Sequence, residues 1–225
     1  MKLIVLVIVA FSMLHSCRKE YSPTNGEMDA TEFQRKNKKK GEEQTFKDWY
    51  KLNSHRLDKV SREEILDFQN SLTRKQIFNS LTPRAKAKVW QDKLNEFMVK
   101  YSLTSNQKNF VTKFGSYIND ELWEKQIDQP LHNELNSLRN EGAFEFGNGE
   151  ILRVLMADID NDIDFVGIAF NPWIVHVSCE CNMKSDWCGF PSNDGSSCSA
   201  VDGCGSRGCG TFWVYDCNGN CRMTM

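Results

Sequence analysis

The chain has no cysteine between residues 18 and 178, and this absence divides it into parts of different chemistry. Eight of the nine cysteines lie in the last 47 residues, whereas the ninth, Cys17, lies near the other end. A cysteine cluster forms disulfides in an exported protein, but in a cytosolic protein it more often binds metal. The interpretation of the cluster therefore depends on whether the N-terminus directs export.

The sequence also lacks a long apolar run and a strong net charge. Its longest apolar run, residues 3–14, has about a dozen residues, whereas a membrane-spanning helix needs about 20. A net charge of −2 argues against a broad basic surface for nucleic acid, so we predict no nucleic-acid partner. The local basic run at residues 35–40 lies in a polar segment and is typical of a solvated tether.

The middle of the chain contains no motif for a catalytic nucleophile, a Gly-rich phosphate loop or a His-x-x-x-His metal pair, and His55 and His132 are isolated. The acidic segment 158–164 places four carboxylates at alternate positions, as an EF-hand loop begins. However, Ile163 and Ala169 stand where that loop needs glycine and glutamate. We expect a polar turn here, with calcium as the alternative, and predict no enzyme, no cofactor and no metal.

The N-terminus has the features of an export signal. Lys2 precedes the apolar run, whose length is that of a signal-peptide core. The following Leu14-His15-Ser16-Cys17 resembles a bacterial lipobox, which implies that Cys17 is acylated and becomes the mature N-terminus. Several acyl chains anchor a protein durably to a membrane. The alternative is ordinary secretory cleavage, with Cys17 left as a free thiol. We predict a signal peptide at 1–16 and a polar tether at 17–44.

Residues 45–142 are predicted to form a helical domain. The sequence Ser61-Arg62-Glu63-Glu64 has the form of a capping box, and Thr73 and Thr104 begin similar patterns with glutamine. Thr82-Pro83 places a cap residue before a proline at the first helical position. Apolar residues then recur at helical spacing: Trp90, Leu94, Phe97, Met98, Tyr101, and later Phe110, Val111, Phe114, Tyr117, Ile118 and Leu122. These stripes favour the seam of a helical bundle, with a ligand groove as the alternative.

Shorter helices are expected around residues 46–57, 62–72 and 131–139, with the last ending near Gly142. Residues 143–178 are interpreted as a connector. Residues 179–225 form a Cys-rich module with eight cysteines: Cys179, Cys181, Cys188, Cys198, Cys204, Cys209, Cys217 and Cys221. The fold class predicted for the whole chain is mainly α, with a small irregular disulfide-rich C-terminal module that carries a short β-hairpin.

The module is too small and too rich in glycine to bury a large core, so we expect covalent cross-links to hold it. Eight cysteines fit four disulfides, although the sequence leaves their connectivity open. Zinc, with His176 as an added ligand, is the competing interpretation, and export argues against it. Residues 211–215 are the best strand candidate, and Asn218-Gly219 predicts a hairpin-type turn. We expect reduction to unfold this module and to leave the helices mostly intact.

The pattern Cys179-x-Cys181-x6-Cys188 and the run from Gly208 to Asn220, Gly-Cys-Gly-Thr-Phe-Trp-Val-Tyr-Asp-Cys-Asn-Gly-Asn, resemble the fulvocin C bacteriocins and the fulvocin C-related lipoproteins of bacteria. The likeness to the bacteriocin covers about the last fifth of the chain. The likeness to the lipoproteins extends to residues 81–94. The bacteriocin has two closely spaced cysteines before its Asn-Gly-Asn, where this chain has only Cys217, followed by Cys221. This difference implies that one disulfide is wired differently.

The resemblance implies an exported, non-catalytic protein, lipid-anchored at an outer membrane or cell surface, whose module acts against competing bacteria through an unknown envelope or receptor target. Release of a C-terminal fragment is an open alternative. However, the segment from Cys179 onward carries five acids and three bases, unlike cationic membrane-disrupting peptides. The second hypothesis is therefore an envelope binding lipoprotein without toxicity, with Trp187, Phe190 and Trp213 as exposed partner contacts.

Overall fold

The computed structural model describes residues 44–147, 149–161, 181–185, 187–188, 196–200 and 207–223. All of them belong to one compact unit, residues 39–225. The predicted signal peptide, Cys17 and almost all of the polar tether lie outside the described residues, as do residues 148 and 162–178 of the predicted connector.

The described part of the chain is mainly helical, as the sequence predicts. Helix α1 is described over residues 44–53, and six further α-helices follow it in the described residues. Their bounds are α2 Arg62–Leu66, α3 Ser71–Ser80, α4 Pro83–Lys100, α5 Ser105–Gly115, α6 Gln129–Phe146 and α7 Gly149–Ala157. None of the described helices is both long and apolar enough to cross a bilayer.

Most of the predicted caps are present. Ser61 and Thr104 form complete capping boxes with Glu64 and Gln107, and the Thr82 side chain accepts a hydrogen bond from the Ala85 amide. The prediction for Thr73 is wrong, because α3 begins earlier. Its cap is Asn70, whose side-chain oxygen accepts from the Thr73 amide at 3.0 Å. Asparagine is among the strongest N-cap residues, so it sets the start of this helix.

Helix α6 does not end near Gly142, contrary to prediction. It continues to Phe146, and Gly147 then caps it in the left-handed conformation, with φ of 59°. At Gly142, a side-chain β-carbon would lie 2.7 Å from the Phe110 ring and 2.6 Å from Leu152. This glycine therefore allows α5 and α7 to pack closely on α6 and does not break the helix. The predicted connector includes α7, in which Leu152, Leu155 and Met156 are fully buried.

The predicted aromatic seam forms the centre of the core. Trp90, Phe97 and Phe114 are fully buried, and Phe110 is almost so. The same hydrophobic cluster also contains residues from the C-terminal segment, among them Trp187, Phe212 and Trp213. The core is therefore built from both the helices and the cysteine-rich segment.

Four short strands form two separate two-stranded antiparallel sheets in the described residues. They are β1 Ser196–Ala200, β2 Arg207–Cys209, β3 Tyr215–Asp216 and β4 Gly219–Met223. β1 pairs with β4, which places Cys198 opposite Cys221, and β2 pairs with β3. The predicted turn at Asn218-Gly219 therefore does not close a hairpin, because the strands on its two sides belong to different sheets.

Candidate functional site

Among the described residues, three disulfides cross-link the C-terminal segment, as predicted for a disulfide-rich module. They join Cys181 to Cys198, Cys188 to Cys221 and Cys209 to Cys217. Cys179 and Cys204, the other two predicted disulfide residues, lie outside the described residues, as does His176. Disulfides of this number form and persist in an oxidising environment, so the chain is one that folds under such conditions.

The sulfur atoms of Cys181, Cys188 and Cys198 lie within 4.8 Å of one another and are buried. Such a cluster has the composition of a structural zinc site, which is the alternative that the sequence leaves open. Zinc binds thiolates, and all three of these sulfurs are joined in disulfides. The cluster is therefore covalent, and two neighbouring disulfides brace the β1–β4 sheet from Cys181 and Cys188.

The third disulfide closes the loop from Cys209 to Cys217, which we call the plug loop. It has an unusual backbone, because Phe212 and Trp213 both have left-handed φ values, 55° and 56°. Residues 211–213 form a 3-10 turn instead of the predicted strand. Non-glycine residues adopt positive φ at a cost, and they keep it where the surroundings enforce it. Here the short disulfide-bonded ring and the burial of both aromatic rings provide that enforcement.

Phe212 is the centre of the plug loop and is fully buried among the helices. Its ring stacks on Phe114 of α5 with centroids 4.1 Å apart and planes 6° apart. It also meets the Trp90 ring of α4 edge-on at 5.1 Å. Its carbonyl accepts a hydrogen bond of 3.3 Å from the Trp123 indole. One residue of the C-terminal segment thus joins α4, α5 and the turn that holds Trp123.

Trp213 occupies a neighbouring position in the same core and is 4% exposed. Its ring meets Phe78 of α3 edge-on at 5.4 Å. Its indole nitrogen donates to the Ala157 carbonyl, at the end of α7, at 2.8 Å. Trp187 is 8% exposed, and the Arg139 guanidinium of α6 lies 5.7 Å from its ring centroid.

These positions correct the expectation that Trp187 and Trp213 are exposed partner contacts. Both pack into the core because the helices supply the apolar surface that the small module cannot provide for itself. Phe190, the third predicted contact, lies outside the described residues.

Gly210 makes the tight entry to the plug loop. Its φ is 69°, and a β-carbon there would lie 2.6 Å from both the Ser185 hydroxyl and the Tyr215 ring. The Ser185 hydroxyl in turn accepts a hydrogen bond from the Thr211 amide at 3.4 Å. Only glycine suits both this backbone and this space, so the Gly-x-Gly pattern around Cys209 has a structural reason.

A small polar cluster joins the plug loop to α6. Asn136 donates from its amide to His132 Nε2 at 2.9 Å, which leaves His132 Nδ1 to donate to the Tyr215 hydroxyl at 3.2 Å. Burial raises the pKa of Tyr215 to about 12, although Arg139 and a hydrogen bond with Ser185 favour the ionised phenolate. Tyr215 therefore stays neutral and acts as a buried hydrogen-bonding partner, and the isolated His132 of the sequence has a packing role.

The acidic segment after α7 is a polar turn in its described part, residues 158–161. The Asp160 amide donates to the Asp158 carboxylate at 3.1 Å, and Arg74 pairs with Asp160 at 3.2 Å. The Arg62 guanidinium donates to the Ile159 carbonyl at 2.5 Å. These carboxylates and carbonyls are thus engaged by cationic side chains of α2 and α3. Residues 162–164 of the segment lie outside the described residues.

Lys93 is a structural residue that the sequence gives no reason to single out. It is fully buried, and its ammonium donates to the carbonyls of Val154 and Leu155 in the last turn of α7. Burial lowers the pKa of Lys93 well below its usual value, while Asp158 favours the charged form. A cation at the C-terminal end of a helix satisfies the free carbonyls there and interacts favourably with the dipole. An apolar residue would be expected at this position of the seam.

Two shallow grooves lie beside α5 and α6. One, of about 290 Å³, is lined by polar side chains such as Asn106, Asn109 and Glu145, and the Lys113–Glu141 ion pair closes one side. The other, of about 200 Å³, lies around Tyr117, Leu122 and Leu131. Neither contains a buried polar group without a partner among the described residues, so neither has the features of a specific ligand site.

Comparison with protein-family models, curated proteins and solved structures finds no match for this chain.

Proposed function

We propose that this protein is an exported lipoprotein, held at a bacterial outer membrane or cell surface by acylated Cys17. In this proposal it acts there as a non-catalytic binding protein that keeps its cysteine-rich module. The disulfides support export, and the lipobox-like sequence before Cys17 supports the anchor.

The observation that carries the proposal is the burial of Phe212 and Trp213 within the helical core. A bacteriocin that leaves its carrier must be stable alone, and this segment would then expose both rings. Burial of a large aromatic side chain contributes about 2–3 kcal/mol, so separation would remove a substantial part of the free energy that orders the loop. The arrangement therefore favours a module that works while attached.

Antimicrobial action is the second candidate function, supported by the fulvocin C-like run from Gly208 to Asn220. The acidic balance of the segment from Cys179 onward favours a specific envelope receptor over direct disruption of anionic lipid. Under this alternative the toxic species is either the intact chain or a fragment released from it.

Mass spectrometry of the membrane fraction and the culture supernatant separates these candidates. We expect the full-length mature chain in the membrane fraction, with a diacyl modification on Cys17. Cys17→Ser is the matched variant, and we expect it to leave the membrane fraction without losing the disulfides. A C-terminal fragment in the supernatant that inhibits other bacteria would overturn the proposal and establish the antimicrobial alternative.

A further inference from the structure

Basic residues lie on three elements of the fold, α3, the beginning of α4 and β2. Lys75 lies on α3, Lys86 lies in the second turn of α4, and Arg207 begins β2. Lys86 lies 5.8 Å from the Phe78 ring centroid and Lys75 lies 5.8 Å from the Trp213 ring centroid. Arg207 lies near enough to Lys86 for its charge to lower the pKa of that lysine. The two rings meet edge-on at 5.4 Å. This basic cluster is the Lys75–Lys86–Arg207 site.

Lys86 is the unusual member of the site. It is 7% exposed, yet its ammonium makes no hydrogen bond or ion pair with any described residue. Burial, together with the smaller effect of the nearby Arg207 charge, lowers the pKa of Lys86 to about 8. A buried cation without a counter-ion is unfavourable, and an anion that reached it would remove that cost.

The beginning of α4 adds positive potential at the same place. This helix has 18 residues, and no acidic residue lies in its first turn. Thr82 and Pro83 form its start, and the exposed Arg84 follows them. An N-terminal helix end carries a partial positive charge, which most helices offset with aspartate or glutamate. Since side chains tilt toward the N-terminus of their helix, the Lys86 side chain leans toward this end.

The third side of the site is fixed by contacts between α3 and β2. The Asn79 amide donates to the Arg207 carbonyl at 2.6 Å, and a β-carbon on Gly208 would lie 3.2 Å from the Lys75 side chain. The Arg207 guanidinium lies 3.6 Å from the Asp216 carboxylate, and both side chains are well exposed. The Asp216 carboxylate therefore offsets part of the Arg207 charge, whereas Lys86 has no anionic partner among the described residues.

We propose that the Lys75–Lys86–Arg207 site binds a phosphate group, with Lys86 as the buried charge that recognises it and Arg207 as the exposed arm. A compact anion of charge between −1 and −2 matches a desolvated ammonium, a guanidinium and a helix N-terminus. The phosphate can belong to a membrane lipid headgroup or be free in solution. The site deepens the proposed envelope role, but binding by the purified chain does not depend on the anchor.

The test is a titration of the purified, oxidised, full-length mature chain with inorganic phosphate. Binding is followed by the resonances of the Lys86 side chain and by thermal unfolding. We expect a saturable shift and a higher melting temperature. Lys86→Gln should weaken binding by about tenfold or more, which corresponds to about 1.4 kcal/mol. Lys88→Gln is the matched control, because Lys88 lies on the same helix but is exposed, and it should bind as the native chain does.

Arg207→Gln is a second variant that keeps the test decisive if Lys86→Gln does not fold. Arg207 is exposed, so its replacement should leave the fold intact and still weaken phosphate binding. Equal binding by the Lys86 and Lys88 variants would overturn the site, and so would a native chain whose Lys86 resonances do not respond to phosphate.

Sedimentation of the Cys17→Ser chain with lipid vesicles identifies the source of the phosphate, because acyl chains on Cys17 would carry the native chain onto any vesicle. Binding that requires phosphatidylglycerol and is lost in Lys86→Gln supports a lipid headgroup. Saturable inorganic phosphate binding without Lys86-dependent vesicle binding supports a soluble phosphate compound. Failure of both titrations would overturn the site and would leave the proposed membrane attachment through Cys17 untouched, because the fractionation of Cys17→Ser tests that separately.

Discussion

The helices and the cysteine-rich segment reach their structures by different means, although they share one core. The helices are specified locally, by caps such as Thr82 and Thr104 and by apolar positions at helical spacing. The plug loop is specified by its surroundings, since Phe212 adopts a left-handed backbone and finds its packing partners on α4 and α5. The described disulfides therefore join cysteines within the C-terminal segment, but the stability of that segment depends on its contacts with the helices.

Reduction of the disulfides should cause the largest loss of stability, in the helices as well as in the cysteine-rich segment. Each native disulfide of a small domain contributes about 2–4 kcal/mol, so loss of all three is a large part of the stability of a typical domain. Because Phe212 and Trp213 belong to the helical core, we expect the helices to lose stability together with the module. This replaces the expectation, drawn from the sequence, that the helices stay mostly intact.

Urea unfolding with and without a reductant checks this result. Far-UV circular dichroism reports the helices, and tryptophan fluorescence reports the shared core. The two transitions should coincide and should move together to lower urea on reduction. A reduced protein that keeps its helical transition at the original midpoint would show that the two regions are independent after all.

Phe212→Ala should produce the next largest effect. It removes a fully buried ring that contacts Phe114 and Trp90, and such truncations cost about 3–5 kcal/mol. The matched control is Phe144→Ala, because Phe144 is 87% exposed and its truncation should change the stability by about 0.5 kcal/mol or less. Denaturant midpoints of both variants are the measurement. Similar values for the two would mean that the plug loop does not stabilise the helices.

The pH dependence of stability should show two opposite changes, each at most about 3 kcal/mol because one pKa unit corresponds to about 1.4 kcal/mol and solvent contact reduces the effect. The pKa of Lys86 in the folded chain is about 8, below the ordinary lysine value of 10.5. Between pH 8 and 10.5, Lys86 therefore keeps its proton in the unfolded chain and loses it in the folded chain. The free energy of unfolding rises as the pH increases through this range. Tyr215 has a pKa of about 12 in the folded chain, above the ordinary tyrosine value of 10.0, so the free energy of unfolding falls as the pH increases between these two values.

Equilibrium unfolding at a series of alkaline pH values measures both changes. Lys86→Gln should remove the rise, and Tyr215→Phe should reduce the fall. Arg207 is the charge that favours neutral Lys86, so Arg207→Gln should make the rise smaller. If the free energy of unfolding of the native chain does not increase at pH values above 8, the result would contradict the burial of the Lys86 charge.

Thr104→Ala should have the smallest effect. Thr104 caps α5 through its side chain and forms a reciprocal pair with Gln107, in an exposed position. Loss of such a cap costs about 1 kcal/mol. Thr112→Ala is the control on the same helix, since its hydroxyl donates to the Lys108 carbonyl within the helix and caps nothing. If Thr112→Ala destabilises the protein as much as Thr104→Ala does, the effect at Thr104 is not due to capping.

Much of the helical region could be predicted because its determinants are local. The capping boxes at Ser61 and Thr104 and the proline at position 83 mark helix starts within a few residues of the chain. The end of α6 could not be predicted in this way. Gly142 has the composition of a helix stop, and only its contact with Phe110 and Leu152 reveals that it is a packing residue.

The candidate site was harder to predict than the helices. The eight clustered cysteines indicate disulfides, but the partner of Cys181 or Cys209 depends on distances in the folded chain. Lys86 looks like an ordinary surface lysine in the sequence, because its spacing does not reveal that Phe78 and Arg207 lie beside it. Lys86 matters because it is buried without a counter-ion, and this depends on residues that are close to it only in the folded chain.

Sequence patterns are enough to predict that the chain is mainly helical, that cysteines of the C-terminal cluster form disulfides and that the seam of the bundle is aromatic. These features follow from periodicity, capping and composition, which act over short stretches of chain. The positions of Phe212 and Trp213 depend on the folded structure, because the four apolar residues 212–215 fit a strand as well as a buried loop. The helices supplied the apolar surface that the small module lacks, and burial of those rings outweighed the strand preference of the segment.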